Sequence, residues 1–163
     1  MDILWSPWRM AYIGGGGGGD GCIFCTIPEQ GSEHDRENLL LLRGEHAFVI
    51  LNRYPYNSGH LMIVPYRHLR DVTLLTPAES AEIMALLQRM VSALTAVYRP
   101  EGFNTGMNLG SAAGAGIADH LHMHIVPRWA GDTNFMPVVG QTKVLPESLE
   151  QTWERITSAL REF

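Results

Sequence analysis

Three histidines stand at alternate positions late in the chain, in a segment that reads HLHMHIV from 120 to 126. Alternate side chains of a β-strand point to opposite faces. A strand here therefore places His120, His122 and His124 on one face, with neighbours roughly 6–7 Å apart. The apolar residues between them face the other way and can join a core. Because buried polar groups need partners, this row predicts a functional site rather than a chance surface cluster.

The chemistry that suits such a row is the transfer of a phosphorus-linked group. Imidazole is a good nucleophile at neutral pH, and since its pKa is about 6.5 it also serves as an acid or a base. Upstream lies a loop of small residues, GSAAGAG at 110–116. Its backbone can approach a ligand closely, and its N–H groups can hold anionic oxygens. Together the histidines and the loop indicate phosphoryl or nucleotidyl transfer through a covalent histidine.

The chain has 2 cysteines, Cys22 and Cys25, which form one C-x-x-C pair. In a reducing compartment this spacing indicates metal binding or redox chemistry rather than a structural disulfide. The pair supplies two of the four ligands that zinc takes in structural sites. Free thiols or a redox pair are the alternatives at this point.

Short apolar runs bounded by turn-forming residues predict the strands that must position these groups. They lie at 38–43, 47–51, 60–65, 103–109 and 120–127, with a turn at 55–59. The clearest helix begins after Thr76, because Thr76 and Glu79 form a capping box and Pro77 suits the first helical position. The helix should end near Tyr98, since Pro100 disfavours helical geometry at the residue before it.

Two apolar stripes complete the predicted architecture. One lies at helical spacing on the long helix and should face a core; it consists of Ile83, Leu87, Met90, Val91, Leu94 and Val97. The other predicts an amphipathic C-terminal helix; it consists of Leu149, Trp153, Ile156 and Leu160. We therefore expect an α+β fold, a mostly antiparallel sheet with one long packed helix and a C-terminal helix.

The composition of the 163 residues, 45% of them hydrophobic, suits a single globular domain over 1–163 rather than a disordered chain. The formal net charge of −5 argues against a bulk nucleic-acid binder. No apolar run approaches the roughly 20 residues that span a bilayer, and the amino terminus lacks a secretory signal. A cytoplasmic protein without membrane contact is expected. Residues 1–21 should form an amino-terminal arm in which Gly14–Gly19 is a mobile spacer.

Three ordered blocks of the sequence resemble the histidine triad (HIT) superfamily. HLHMHIV at 120–126 is similar to its H-φ-H-φ-H-φ-φ signature, NRYPYNSGHLMIVPYRH at 52–68 to a second block, and Asn108 with Gly110 to a third. The resemblance covers about 22–135. PRW at 127–129 and GDTNF at 131–135 look most like the diadenosine polyphosphate hydrolase and phosphorylase branch. The resemblance implies a HIT-like α+β fold and an enzyme.

Catalytic roles follow from the same resemblance. His122, the middle histidine, is expected to attack the α-phosphorus of a nucleotide and to carry it until water or inorganic phosphate releases it. His124 is expected to contact phosphate oxygens and assist the leaving group. His60 is expected to support the triad from beneath; a structural histidine at the start of a strand is the alternative there.

Four further positions match nucleotide-binding residues of the family. By resemblance, Asn52 bonds the ribose hydroxyls, Asn108 lies near the phosphate, and Gly114 and Gly116 belong to the anion-binding loop. For both asparagines a role in turns alone is the alternative. Many relatives carry Gln and Ser or Thr after this loop, whereas this chain has GIAD at 116–119, so phosphate contact falls to backbone groups.

Zinc-bearing members of the superfamily use two cysteines, a histidine after the second block and the first triad histidine. The corresponding residues here are Cys22, Cys25, His68 and His120. Such a Cys₂His₂ set suits tetrahedral zinc, and with four protein ligands the ion would be structural and would not activate water.

We therefore expect a nucleotide hydrolase or nucleotidyl transferase that acts on dinucleoside polyphosphates. The resemblance further implies an adenine nucleotide as substrate and a homodimer as the assembly. One alternative is a phosphate-dependent diadenosine polyphosphate phosphorylase, and another is a zinc-stabilised purine-nucleotide sensor with little catalysis. Arg128 and Trp129 either hold a distal phosphate and a second base or pack at a subunit interface.

Overall fold

The computed structural model describes residues 21–140, 142 and 144–162, so the predicted glycine spacer and all of the arm except Gly21 lie outside the described residues. The helices are α1 (Ile23–Glu29), α2 (Asp35–Asn38), α3 (Pro77–Tyr98), α4 (Met136–Val139) and α5 (Leu149–Leu160). The strands are β1 (Leu40–Arg43), β2 (Ala47–Leu51), β3 (Leu61–Pro65), β4 (Gly102–Met107) and β5 (Met123–Arg128). Among the described residues, no helix is both long and apolar enough to cross a bilayer.

The five strands form one antiparallel sheet in the order β1-β2-β3-β5-β4. Neighbouring strands β1, β2 and β3 are consecutive in the chain, as the predicted turns between them require. Gly59, at φ +76°, ends the turn that leads into β3, and only glycine adopts that conformation without strain. α3 then crosses to the far side, so that β4 forms an edge and β5 lies between β4 and β3. The predicted α+β architecture is confirmed.

Apolar side chains cover the sheet on both faces. On one face α3 and α5 form the main core, where Met90 and Ile156 join a cluster with Ile63 and Ile125 of the sheet. On the other face, here called the α1 face, Phe24 of α1 joins a second cluster, made with Leu40, Phe48, Ile50, Met62 and Val64.

The strand register decides which face carries the histidines. β5 pairs with β3 so that His124 lies opposite Met62, and paired residues of neighbouring strands point to the same face. His124 therefore points to the α1 face, away from α3. The main core stays apolar, and the polar groups collect on the other side of the sheet.

The apolar face of α3 is centred on residues that differ in part from the predicted stripe. Its buried apolar members are Ile83, Leu86, Met90, Ala93 and Leu94. Leu87 and Val91 of the predicted stripe pack against the main core while half-buried, and Val97 is half-buried as well. Ala93 is too small to stand out in a hydrophobic pattern, although it is fully buried against the core.

The ends of β1, β3 and β4 differ from the predicted ones. β1 begins at Leu40 rather than at 38, because α2 occupies the preceding residues and Leu39, at φ +63°, turns the chain. β3 begins at Leu61, one residue after His60. β4 begins at 102 and ends at 107, rather than running from 103 to 109, so Asn108 already belongs to the loop that follows.

The triad segment is a strand only in its second half. The sequence predicts a strand over 120–127, but β5 begins at Met123, so that His120 and His122 precede it. Leu121 donates its backbone N–H to the carbonyl of Leu69 at 2.6 Å instead of extending the ladder with β3. The chain therefore joins the sheet only between the second and third histidines of the triad.

A buried carboxylate fixes the start of α3. Glu79 and Thr76 form the predicted capping box, with Thr76 N–H to Glu79 Oε2 at 2.7 Å and Glu79 N–H to Thr76 Oγ1 at 3.2 Å. Arg67 donates two further bonds to the Glu79 carboxylate, both at 2.7 Å. The Arg67 guanidinium, followed by the backbone N–H of Thr76, lowers the pKa of Glu79 from 4.5 to about 2.

We expect Glu79→Gln to lower the unfolding free energy at neutral pH by about 1–2 kcal/mol, because Arg67 and the helix start lose a charged acceptor. The carboxylate has a lower pKa in the folded chain, so it stabilises the fold above pH 4.5, and this contribution is lost as the pH falls through about 2. In urea denaturation, the difference in unfolding free energy between wild type and variant should therefore shrink on acidification. Glu162→Gln, at an exposed carboxylate, is the control. A difference in unfolding free energy that stays constant down to the lowest pH contradicts the stabilising role of the Glu79 carboxylate.

Candidate active site

Four metal-ligating side chains meet beside the triad. They are Cys22, Cys25, His68 and His120, here called the Cys₂His₂ cluster, and their ligand atoms all lie within 4.8 Å of one another. Cys22 Sγ is 3.2 Å from His120 Nδ1, and Cys25 Sγ is 3.4 Å from His68 Nδ1. A tetrahedral zinc ion, with bonds of about 2.0–2.3 Å, separates its ligand atoms by roughly 3.3–3.8 Å. The cluster could therefore hold a metal ion, and its donor set and spacing fit zinc.

The second ring nitrogen of His120 orients this residue for the cluster. Nε2 donates to the carbonyl of Pro65 at 2.8 Å, so the unprotonated nitrogen of the neutral ring is Nδ1, the atom that faces the two thiols. His120 is fully buried, and this burial lowers its pKa and favours the neutral ring. Burial also raises the pKa of the Cys25 thiol. A bound cation would offset that effect by stabilising thiolates.

The backbone holds His122 in one tautomer. Its Nδ1 donates to the carbonyl of His120 at 2.8 Å, so Nε2 carries the lone pair of the neutral ring. Only 6% of His122 is exposed, and this burial lowers its pKa. The Phe24 ring centroid lies 5.3 Å from that of His122 on the α1 side. A neutral imidazole with an unprotonated Nε2 is the form that acts as a nucleophile.

His124 is linked to the backbone through His60. Tyr56 donates its backbone N–H to His60 Nδ1 at 3.0 Å, so the proton of neutral His60 is on Nε2. That Nε2 lies 3.0 Å from His124 Nδ1, which therefore accepts, and the proton of neutral His124 is on its own Nε2. The ring centroids of His122 and His124 are 4.8 Å apart. Two neighbouring rings thus carry an unprotonated Nε2 on His122 and a protonated Nε2 on His124.

The predicted ribose-binding residue, Asn52, follows β2 and is buried next to this chain of bonds. Its side-chain oxygen accepts the backbone N–H of Tyr54 at 2.9 Å, which shapes the turn after β2. Its amide nitrogen lies 3.4 Å from His60 Nε2. Asn52 therefore has the structural role of a turn residue and also lies beside the triad.

The other predicted nucleotide-binding residues are in the loop between β4 and β5. Asn108 is half-buried and its Nδ2 lies 3.5 Å from the Gly114 carbonyl, so it braces the loop from within. Gly114 has φ +86° and donates its N–H to Ser111 at 2.9 Å, which closes a short turn. Gly116 is exposed and, with residues of the Cys₂His₂ cluster, lines a groove of about 710 Å³. Of the two glycines, Gly116 is the one at an open surface.

Two aromatic residues of the site have roles that the sequence did not predict. Phe24, inside the C-x-x-C pair, packs against His120 and His122 at ring distances of 5.5 and 5.3 Å. Its position between the two cysteines is a signal that could have been used. Tyr56 contacts His60 through both its backbone N–H and its ring, 4.6 Å from the His60 ring. Residue types give no signal for a backbone contact of this kind.

Comparison with known proteins places these features in a family. The HIT domain model matches residues 34–131. A protein named AP-4-A phosphorylase from Mycobacterium tuberculosis is 43% identical over 160 residues, which cover 93% of this chain and 80% of that protein. An uncharacterized 16.1 kDa HIT-like protein from Mycoplasma pneumoniae is 32% identical over 137 residues, covering 83% of this chain and 90% of that one.

A solved structure agrees with the fold. A Zn-bound histidine triad family protein from Mycobacterium smegmatis superposes with a TM-score of 0.70 at 26% sequence identity, covering 87% of this chain and 94% of that chain. The resemblance to the histidine triad superfamily that the sequence predicts is therefore confirmed.

We expect His68→Ala to weaken Zn²⁺ binding by more than about tenfold, because it removes one of four ligands. Titration of the metal-free protein with Zn²⁺ against a chromophoric chelator measures this directly. His46→Ala is the control, since His46 lies outside the Cys₂His₂ cluster. Equal affinity in wild type and both variants contradicts the assignment of this cluster as a metal site.

Proposed function

The chain belongs to the HIT family, and we propose that it is a phosphorylase that cleaves dinucleoside polyphosphates such as diadenosine tetraphosphate. The relative named AP-4-A phosphorylase, 43% identical over 93% of this chain, supports the reaction and the adenine nucleotide. The observation that carries the proposal is the His122 tautomer, since its Nδ1 donates to the His120 carbonyl and leaves Nε2 as the nucleophilic atom. A hydrolase would differ only in that water, rather than inorganic phosphate, accepts the nucleotidyl group.

In the first step, His122 Nε2 attacks the α-phosphorus of the bound substrate. A P–N bond forms while the P–O bond to the leaving polyphosphate breaks, and the electron pair stays on the departing oxygen. The N–H of His124 Nε2, on the neighbouring ring, donates a hydrogen bond to that oxygen and stabilises its developing negative charge. For diadenosine tetraphosphate the leaving group is ATP, and AMP stays bound to His122.

In the second step, an oxygen of inorganic phosphate attacks the same phosphorus. The P–O bond forms while the P–N bond breaks, the electron pair returns to His122 Nε2, and ADP is released. The attacking oxygen is an unprotonated one, so no proton is transferred, and the departure of ADP restores the starting state. His60 supports both steps as a positioning residue, because its Nε2–H fixes His124 Nδ1 as an acceptor.

Nucleotide binding is proposed for Asn52, Asn108, Gly114 and Gly116. Asn52 is beside His60 on one side of the triad, where it can reach a ribose hydroxyl. The glycine loop, braced by Asn108, would hold phosphate oxygens through backbone N–H groups, with its exposed end at Gly116. In Gly114 the N–H is already donated to Ser111, so this residue contributes by shaping the loop.

We propose zinc as the metal of the Cys₂His₂ cluster. The spacing of the ligand atoms, the Nδ1 lone pair of His120 and the zinc-bound relative at 26% identity support this choice. With four protein ligands the ion would crosslink the start of α1 to the triad and supply structural stability. No catalytic step passes through it.

We also propose that the protein is a cytoplasmic homodimer. β4 is an edge strand whose residues 104–106 are exposed, so it presents backbone groups to which a second strand can pair. Cys22 and Cys25 are free thiols at a candidate metal site, which suits a reducing compartment.

The central test is His122→Ala, which we expect to lower ADP formation from diadenosine tetraphosphate and phosphate by at least about 10³-fold, because the covalent route is lost. Substrate labelled at the α-phosphorus should leave an acid-labile label on the wild-type protein and none on the variant. His46→Ala is the control.

Unchanged turnover in His122→Ala contradicts the proposed role. ADP formation should also require inorganic phosphate. Release of AMP at the same rate with and without phosphate would instead identify a hydrolase, and tight binding without any product would identify a nucleotide sensor.

A further inference from the structure

A groove of about 410 Å³ runs along the sheet from His124 towards the end of β5. Its floor is Val126, and it reaches Arg128 at the far end. Because side chains alternate along a strand, these three residues share the α1 face, and His124 and Arg128 are separated by roughly 13 Å of strand. Asn104 of β4 lies opposite Val126 in the register and forms part of one wall.

The proposed ribose contact, Asn52, does not line this groove. The lining comes mainly from β4, β5 and the loops that follow them, and Tyr56 and Asn57 of the turn before β3 complete it. A dinucleoside polyphosphate whose α-phosphorus is at His122 must extend beyond its AMP portion. The groove, which begins at His124, gives the rest of the substrate space to occupy.

Neighbouring side chains hold Arg128 in a fixed position at the end of the groove. Its Nε and Nη2 donate to Asp132 at 2.6 and 3.0 Å, and its Nη1 donates to Asn104 Oδ1 at 2.6 Å. Asp132 is in turn held by Asn57 Nδ2 at 2.7 Å and by the Trp129 backbone N–H at 3.2 Å. An exposed arginine held at three donors loses little further freedom when it binds a ligand.

The bonds to Asp132 and Asn104 leave donors that match a phosphate. A guanidinium has five N–H groups, and the contacts among the described residues use three. One N–H is left on each terminal nitrogen, and such a pair can bond two oxygens of one phosphate. The Asp132 carboxylate already accepts four bonds, from Arg128, Asn57 and Trp129. The groove therefore presents hydrogen-bond donors at this end, although Arg128 and Asp132 balance in charge.

We infer that Arg128 binds a tetrahedral phosphate group in this groove, as a second phosphate site beyond His124. The phosphate is either part of the leaving polyphosphate or the incoming inorganic phosphate, and the inference rests on the proposed function. The Trp129 side chain does not line the groove; its ring packs against Tyr98 of α3 with ring centroids 6.5 Å apart, and only its backbone N–H supports Asp132.

Arg128→Gln tests the inference, with Arg36→Gln as the matched control. Arg36 is also an exposed arginine in an ion pair, with Glu154, and lies outside the groove. Two substrates are compared, diadenosine tetraphosphate and the nitrophenyl ester of AMP, whose leaving group carries no phosphate. The formation of nucleotidyl-His122 and the phosphate dependence of ADP release are measured separately for each.

Two results support the site and distinguish its ligand. If Arg128 holds the leaving polyphosphate, kcat/KM of the first step falls about 10- to 100-fold for diadenosine tetraphosphate and stays unchanged for the ester. If Arg128 holds the acceptor, the first step is unchanged for both substrates, and the KM for inorganic phosphate rises by a similar factor. The inference is overturned if kcat/KM of the first step and the KM for inorganic phosphate all change by less than twofold. It is also overturned if the rate falls equally with both substrates and with water as the acceptor.

A binding measurement separates this inference from the proposed function. Calorimetric titration with inorganic tripolyphosphate needs no turnover, and we expect about tenfold weaker binding in Arg128→Gln than in wild type or Arg36→Gln. Equal binding in all three proteins overturns the phosphate site. If the wild type binds tripolyphosphate through Arg128 but forms no nucleotidyl-histidine, the proposed reaction fails and the phosphate site stands.

Discussion

The hydrogen bond from His122 Nδ1 to the carbonyl of His120 is the constraint on which the site depends. A neutral imidazole has one proton, and placing it on Nδ1 leaves Nε2 as the only nucleophilic atom. The carbonyl can hold that proton because His120 is itself fixed, through its ring bond to the Pro65 carbonyl and its contacts with the two cysteines. In the proposed reaction, the Cys₂His₂ cluster would therefore act on His122 through backbone geometry, without touching the substrate.

The sheet stabilises this arrangement by keeping the polar groups of the site apart from the main apolar core. α3 and α5 cover one face with an apolar core, and the strand register turns His124 to the other. There each buried ring finds a partner, since His60 accepts from the Tyr56 backbone and lies within hydrogen-bonding distance of His124. Unsatisfied buried imidazoles would destabilise the fold, so the turn that carries Tyr56 is as necessary to the site as the histidines are.

Local signals in the sequence predict much of the fold, since the capping box at Thr76 and the apolar strands follow from residue type and spacing. The grouping of Cys22 with His120 follows only from resemblance to a family. Contacts of backbone atoms with distant residues have no such signal. The strand was predicted to include His120 and His122, but the Leu121 N–H bonds to the Leu69 carbonyl, a pairing between segments that no period-two pattern contains. The contact between Arg128 and Asn104 was equally hidden, because it depends on the register that aligns β5 with β4.

The stereochemical course at phosphorus tests the central claim most directly. Two successive in-line displacements, first by His122 and then by phosphate, each invert the α-phosphorus. A substrate with a chiral α-phosphorothioate should therefore give a product in which the original configuration is retained, as read by ³¹P NMR. An inverted product would mean that the acceptor attacks the substrate in a single step, and no nucleotidyl-histidine would then lie on the pathway.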